Sequence, residues 1–218
     1  MVEPGTFRKP GRYKASSYRA YNGKMPGCYD TAIWSRGAAS IDRAIIEKLG
    51  PSIRSLRILD VGCATGRLLD HLAEAGATRL AGTDLAPNIL EVAAKKFAQR
   101  GAEVDLRVAD AEDRLPWDDE SFDAVTLTGV LHHFFRPEDA LAEIRRVLRP
   151  AGRLLVLDAC FFPLVRQIVN LALRVAPHDG DYHFYTAAQA AGLLADVGFE
   201  IAQREIGFGA FFVIAVKR

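Results

Sequence analysis

The sequence predicts an α/β fold: a Rossmann-like parallel sheet with helices on both faces and an antiparallel strand hairpin at its C-terminal end. First, short apolar runs alternate with amphipathic segments between residues 57 and 157, and parallel strands need such crossover helices. Second, the apolar run 57–61 closes on an acid and a glycine-rich turn. Third, only residues 207–209 join the last two strand candidates, and a link that short permits only an antiparallel pair.

Hydrophobic periodicity predicts each element in turn. A first helix covers residues 38–49, where apolar positions recur at helical spacing and Gly50 and Pro51 supply a stop. The predicted strands that follow are residues 57–61, 79–83, 104–108, 122–127 and 153–157, separated by predicted helices 68–75, 88–99 and 137–148. The C-terminal part is predicted as a helix 164–175, an aromatic loop 178–185, a helix 187–197, and strands 199–205 and 210–216.

The chain divides where periodicity begins. Residues 1–36 show no helical or strand period until about residue 35, so we expect an N-terminal arm or lid. Residues 37–218 form the main domain, in which residues 158–186 are expected to make a helical cap insertion.

Composition limits the classes of function. The 218 residues are 50% hydrophobic and 25% charged, which is enough for one globular domain with a sizeable core. A net charge of +1 provides no overall electrostatic field, so we expect no nucleic-acid partner. Polar residues interrupt the most apolar stretch of the chain, so we expect no stable membrane insertion. Cys28, Cys63 and Cys160 are too few and too scattered for a disulfide framework. We therefore expect a cytoplasmic protein without a bound metal.

The central candidate site is the glycine-rich turn over residues 60–66, Asp-Val-Gly-Cys-Ala-Thr-Gly, directly after the first predicted strand. Glycine at such a turn lets the backbone approach a ligand, and the following helix N-terminus favours a negative group. A tight turn without a ligand is the alternative, which the preceding strand and its terminal Asp60 disfavour. Because Ala64 interrupts the spacing of Gly62 and Gly66, the GxGxxG pattern of nicotinamide dehydrogenases is absent.

Two further acids follow predicted strands. Asp84 closes the second strand, where a carboxylate can accept from both ribose hydroxyls; its alternative role is to cap the next helix. Asp110 follows the third strand, where a carboxylate can accept from an exocyclic amine of a base, and a solvated loop acid is the alternative. Since the carboxyl ends of parallel strands share one edge, the three sites are expected to line one crevice.

Taken together, these motifs resemble the class I S-adenosylmethionine-dependent methyltransferases, in the subgroup of the ubiquinone and menaquinone biosynthesis methyltransferases. The resemblance is strong over residues 55–158 and looser over the rest of the chain. Within the strong part, three later signatures of the family also match, at residues 115–123, 130–134 and 144–152. One departure is Ala151, where the family usually has glycine. The resemblance implies S-adenosylmethionine as cofactor, bound by Asp60, Gly62, Cys63, Ala64, Thr65, Gly66, Asp84, Leu85, Asp110, Ala111 and Thr128.

The reaction that the resemblance implies is an in-line methyl transfer to a small, apolar or aromatic metabolite, in which the protein supplies alignment and sometimes a base. His132 and His133 follow the fourth strand and are the candidate catalytic residues; local packing is their alternative role. Aromatic residues in the arm and in the loop 178–185 are the candidate substrate-binding residues, namely Tyr21, Tyr29, Trp34, Tyr182 and Tyr185.

The predicted helix 164–175 has an unusual surface. Arg166, Asn170 and Arg174 form one narrow polar stripe, and nearly all of the remaining circumference is apolar. We expect this apolar surface to cap the active site and form a wall of the substrate pocket. A dimer interface or an ordinary buried helix is the alternative, and a homodimer therefore stays open.

Two other functions compete with this assignment. One is a non-catalytic subunit that binds S-adenosylmethionine, which would keep the glycine-rich turn and lose a workable pocket. The other is an NAD-dependent oxidoreductase, which the missing GxGxxG pattern disfavours.

Overall fold

The computed structural model describes residues 15–23, 26, 29–31, 38–175, 180–207 and 209–218. Its seven strands are β1 Arg57–Val61, β2 Arg79–Asp84, β3 Val104–Val108, β4 Phe122–Thr128, β5 Leu148–Ala159, β6 Phe199–Ile206 and β7 Ala210–Lys217. They form one sheet in the order β3-β2-β1-β4-β5-β7-β6. Strands β1 to β5 run parallel, and β7 pairs antiparallel with both β5 and β6. The predicted fold class is confirmed, including the C-terminal hairpin.

The helices are α1 Ala15–Asn22, α2 Ala38–Leu49, α3 Arg67–Glu74, α4 Pro87–Arg100, α5 Pro137–Val147, α6 Pro163–Val175 and α7 Ala187–Asp196. Helices α2, α3 and α4 pack on one face of the sheet, and α5 and α7 pack on the other. Both α4 and α5 begin with proline, whose missing N–H is not needed in the first turn.

The central strands of the sheet are buried on both faces, which explains why they read as continuous apolar runs, whereas the edge strand β6 is mostly exposed. In β1, Ile58 belongs to one core cluster and Leu59 to the other, and both are 0% exposed. Successive strand side chains point to opposite faces, so a central strand needs apolar residues at every position. Polar residues are therefore left to the strand ends, where the candidate site lies.

Most bounds differ from the sequence prediction by only one or two residues, but two differences are larger. Helix α1 lies within the arm, where residues 1–36 show no clear periodicity. Strand β5 begins at Leu148, not at residue 153, because Leu148 pairs with Phe122 before the register shifts at an irregularity. Between them, Ala151 adopts a φ of 61°, so the chain turns and re-enters the sheet at Arg153.

Helix α6 is oriented with its apolar residues outward. Leu164, Ile168 and Leu171 are 60–69% exposed. Asn170, by contrast, is 7% exposed; its amide donates to the Phe184 carbonyl and its oxygen accepts from the Phe184 N–H. The polar stripe thus anchors the helix to the loop before α7, because a buried amide must satisfy its hydrogen-bonding groups.

None of the helices in the described ranges is both long enough and apolar enough to cross a membrane.

Candidate active site

A cleft opens at the carboxyl ends of the parallel strands, and Tyr21 and Tyr29 of the N-terminal segment contribute to its lining. Nine predicted site residues line it: Tyr21, Tyr29, Gly62, Ala64, Asp84, Leu85, Asp110, Ala111 and His133. Sequence reasoning did not identify seven others: Val61, Thr83, Ala109, Glu112, Gly129, Val130 and Phe134. Most of these are small or apolar neighbours of predicted residues, so the only signal was adjacency in sequence.

The glycine-rich turn brings the backbone against the loop that follows β4. Gly62 has a φ of 72°, and a Cβ atom there would lie 2.5 Å from a methyl carbon of Val130. Gly66, also with a φ of 72°, is the N-cap of α3. Between them, Ala64 holds a φ of 48°, a left-handed conformation that L-residues other than glycine rarely adopt. The turn therefore keeps a glycine-like backbone at residue 64 despite the alanine.

Asp84 is held at the cleft by the turn itself. Its carboxylate accepts from the Ala64 N–H and the Ala86 N–H, each at 3.0 Å. Burial raises its pKa, and the bonds from Ala86 and Ala64 oppose that shift. The N-cap of α4 is Ala86, which receives no side-chain cap, so the alternative of a helix-capping acid is not what the structure shows. Each oxygen of the carboxylate retains acceptor capacity.

Asp60 lies beneath the turn and does not line the cleft. It is 3% exposed, and its carboxylate accepts from the Thr126 hydroxyl at 2.7 Å. Burial raises the pKa of Asp60 to about 7, against the lowering effect of that hydrogen bond. A desolvated carboxyl so close to a ligand turn favours a cationic ligand group above it.

Cys63, Thr65 and Thr128, which were also predicted to bind the cofactor, are not among the residues that line the cleft. Cys63 is buried, and the Thr65 hydroxyl donates to Asp30 at 2.6 Å. The hydroxyl of Thr128 is buried and has no hydrogen-bond partner among the described residues. Buried hydroxyls are normally satisfied, and Thr128 directly precedes Gly129, which lines the cleft.

Asp110 and Glu112, the acids that follow β3, both line the cleft. The Asp110 side chain accepts from the Glu112 N–H at 2.9 Å. Glu112 is 3% exposed and accepts from the N–H groups of Phe135 and Arg136, at 3.0 and 2.9 Å. Glu112 therefore ties the loop after β4 to the end of β3.

The N-terminal segment covers the turn. Tyr21 and Tyr29 pack against a small buried cluster of Ala64, Ala86 and Ile89. Asn22 joins this segment to α4 through two hydrogen bonds with Asn88, at 2.6 and 2.9 Å. Trp34, also predicted to bind substrate, lies outside the described residues.

His132 and His133 lie together beside the cleft, and each imidazole ring has a carboxylate next to it. His132 Nδ1 lies 2.6 Å from Asp158, and the two imidazole rings are 4.1 Å apart. Burial lowers the pKa of His132, but the charge and hydrogen bond of Asp158, with the charge of Asp181, outweigh it, so the net shift is upward. His133 reaches the cleft, and its Nε2 lies 3.4 Å from the Tyr21 hydroxyl.

The aromatic loop stands behind this cluster. The Tyr182 N–H donates to the His132 carbonyl at 2.9 Å, while the Tyr185 ring contacts the His183 ring at 4.6 Å. Neither tyrosine is among the residues that line the cleft. The Tyr182 hydroxyl is buried without a hydrogen-bond partner in the described structure, and burial raises the pKa of Tyr185 to about 12.

The fold and the site define a Rossmann-like protein whose cleft suits a nucleoside cofactor. Residues 59–156 match the family model of the methyltransferase domain. A demethylmenaquinone methyltransferase of Clavibacter sepedonicus is 33% identical over 81% of this chain and 71% of its own length. That of Thermus thermophilus is 42% identical over 55% of this chain and 53% of its own length.

A solved structure shares the fold. A SAM-dependent methyltransferase from Aquifex aeolicus has a TM-score of 0.63 at 20% identity, covering 79% of this chain and 89% of that one. The chain belongs to the class I S-adenosylmethionine-dependent methyltransferase family. It spans only about half of the Thermus relative's length.

The residues at the cleft fit S-adenosylmethionine, the cofactor of this family. Gly62 and Ala64 line the cleft at the turn, Asp84 offers carboxylate acceptors at the end of β2, and the Thr128 hydroxyl has no hydrogen-bond partner among the described residues. Membership of this family replaces the alternative of an NAD-dependent oxidoreductase.

Proposed function

We propose that this chain transfers a methyl group in line to a small apolar or aromatic acceptor, and that a reduced quinone-type ring is the best candidate. S-Adenosylmethionine, when bound, supplies the methyl group on a sulfonium. The observation that carries the proposal is the position of His133, which faces the cleft next to Tyr21 and Phe134. An imidazole among aromatic side chains suits an apolar acceptor that must lose a proton.

The cofactor side of the cleft is assigned to three residues. Asp84 binds the ribose hydroxyls, Gly62 allows close approach of the methionine part, and Asp110 accepts from the adenine amine. The support for these roles is their common location on one cleft wall, with both carboxylates fixed by backbone N–H groups. Tyr21 and Tyr29 cover the same wall and exclude water, which strengthens every polar contact beneath them.

His133 is assigned the acceptor side. Its ring lies edge-on to Tyr21, with centroids 5.9 Å apart, so the imidazole is oriented by a residue of the N-terminal segment. His132 acts behind it as a positioning residue, since Asp158 binds its ring and its backbone N–H. Tyr182 and Tyr185 support this loop and are assigned to the outer part of the acceptor site.

The names of the relatives favour the acceptor class. Both relatives described above are named for demethylmenaquinone, and an aromatic cleft matches a flat, apolar ring. The competing function, a non-catalytic cofactor-binding subunit, is disfavoured because the cleft retains His133 and an aromatic cover.

The decisive experiment is a methyl-transfer assay with methyl-labelled cofactor and a panel of reduced naphthoquinones, reduced benzoquinones, catechols and simple phenols. The expected result is label in a quinol product. His133→Gln should reduce the rate of methyl transfer at least tenfold and still bind S-adenosylhomocysteine. Binding of S-adenosylhomocysteine without transfer to any member of the panel would instead favour the non-catalytic subunit.

Analytical ultracentrifugation of the same sample tests the open prediction of a homodimer.

A further inference from the structure

Three side chains with ligand atoms for metals converge beside the cleft. His132, His133 and Asp181 each offer one nitrogen or oxygen, and these atoms all lie within 4.8 Å of one another. Asp181 Oδ1 is 3.1 Å from His133 Nδ1 and 3.6 Å from His132 Nε2. Ligands at about 2.0–2.1 Å from a tetrahedral ion are roughly 3.3 Å apart, so these separations are close to those of atoms that share one ion.

His132 is already oriented as a metal-binding histidine is. Asp158, which is 2% exposed, lies 2.6 Å from Nδ1 with one oxygen and accepts from the His132 N–H with the other. A carboxylate on one ring nitrogen fixes the tautomer and leaves the opposite nitrogen to the ion. The opposite nitrogen here, Nε2, is the one nearest Asp181.

His133 supplies an independent observation. Its Nδ1 is buried and makes no hydrogen bond in the described part of the chain, although Asp181 Oδ1 lies 3.1 Å away. The other ring nitrogen is next to the Tyr21 hydroxyl. A buried nitrogen without a partner is unfavourable in a folded protein, and an ion at this point would satisfy it.

We propose that His132, His133 and Asp181 bind one divalent transition-metal ion of the Zn²⁺ class. Two imidazoles and one carboxylate are a donor set typical of zinc and related ions, and three protein ligands leave a position open. The sequence-based expectation of no metal rested on cysteine spacing, which says nothing of a histidine pair and an acid from a distant loop. Only the loop between α6 and α7 brings Asp181 to the pair.

The ion would also act on the proposed reaction through His133, and this part of the inference rests on the proposed function. Of the three ligands only His133 lines the cleft; its buried Nδ1 faces Asp181 and the proposed ion, and its Nε2 lies next to the Tyr21 hydroxyl. An ion on Nδ1 would hold the His133 ring in a fixed orientation at the acceptor side of the cleft.

The test uses untagged protein freed of metal with a chelator and then titrated with Co²⁺ alone, followed by calorimetry and visible absorbance. The expected result is one ion per chain, with the absorbance typical of tetrahedral Co²⁺ and competition by Zn²⁺. His132→Gln and Asp181→Asn should each weaken binding at least tenfold, and Asp158→Asn should weaken it about 10–100-fold through loss of orientation. Circular dichroism and S-adenosylhomocysteine binding confirm that each variant is folded.

Two matched controls separate this site from other donors. His183→Gln removes a histidine of the same loop whose ring contacts Tyr185 and not the cluster, and Cys160→Ser removes a free thiol. Both should bind Co²⁺ as the unaltered protein does. Binding that is absent, or that survives His132→Gln, or that is lost in Cys160→Ser, overturns the proposal. If the protein binds no Co²⁺ but transfers methyl groups, only the metal inference is overturned. If it binds Co²⁺ but transfers no methyl group, only the proposed function is contradicted.

Discussion

The two halves of the cleft are built differently. On the cofactor half, backbone bonds join neighbouring strand ends: the N–H groups of Gly62 and Cys63 both donate to the Thr83 carbonyl. On the acceptor half, the histidines depend on Asp158 and Asp181, which belong to β5 and to the loop after α6. The first half is fixed by the sheet itself, whereas the second half depends on how an inserted segment packs. We expect substitutions in the first half to affect cofactor binding or the stability of the fold, and those on the outer surface of the second half to affect neither.

The largest expected effect concerns Asp60. Since its pKa is about 7 in the folded protein against an ordinary 3.8, the folded state binds more protons between these values, and stability falls as pH rises through that window. The penalty is absent below pH 3.8 and complete above pH 7, where it amounts to about 4 kcal/mol as an upper bound. Asp60→Asn has no such charge. Its free energy of unfolding should therefore exceed that of the unaltered protein at pH 8 far more than at pH 4.5.

Urea unfolding of both proteins at several pH values measures this difference. Asp118→Asn, which removes a carboxylate from the loop before β4, is the control and should show no comparable trend. A difference between Asp60→Asn and the unaltered protein that stays constant from pH 4.5 to 8 would contradict a raised pKa.

Gly62→Ala comes next. The new Cβ would lie 2.5 Å from Val130 in a backbone conformation with a φ of 72°. Left-handed strain and overpacking together should destabilise the fold by about 2–4 kcal/mol. Val130→Ala in the same chain removes the clash and should restore part of the loss. Equal losses in the single and the double variant would show that strain, and not the contact with Val130, dominates.

Asp84→Asn should leave the fold intact and weaken S-adenosylhomocysteine binding at least tenfold. A charged acceptor contributes about 1.5–3 kcal/mol to each hydrogen bond that it receives, and the amide keeps only one acceptor oxygen. Isothermal titration calorimetry measures the loss. Glu91→Gln, an exposed acid on α4, makes the same change of charge outside the cleft and should bind as the unaltered protein does. Unchanged affinity in folded Asp84→Asn would exclude the ribose role.

The smallest expected effect is on α6. Ile168 is 60% exposed, so Ile168→Ser should change the free energy of unfolding by less than about 0.5 kcal/mol. Leu173, 7% exposed on the inner side of the same helix, is the contrast, and Leu173→Ala should cost about 2–4 kcal/mol. If the outer face of α6 forms a wall for the acceptor, methyl transfer by Ile168→Ser falls at unchanged stability. Unchanged activity would refute that role.

The sequence by itself determined the order of strands and helices, the C-terminal hairpin and most of the cofactor half of the cleft. These features depend on local signals: apolar runs of strand length, glycine at a turn, and acids such as Asp84 placed directly after a strand. In a parallel sheet all such strand ends meet at one edge, so residues distant in the chain come together without further information.

Only the tertiary structure decided the rest. Asp60, Cys63, Thr65 and Gly66, which were predicted to bind the cofactor, are not among the residues that line the cleft with Gly62, because a turn presents only some of its residues to one side. Their part in cofactor binding stays a prediction. Helical spacing places Asn170 in the polar stripe of α6, but only the structure shows that its amide is buried against Phe184 and that the apolar face points outward. The approach of Asp181 to the histidine pair depends on the path of residues 180–186, which form no helix or strand. Contacts of this kind join segments with no shared period or spacing, so they are set by packing and not by local pattern.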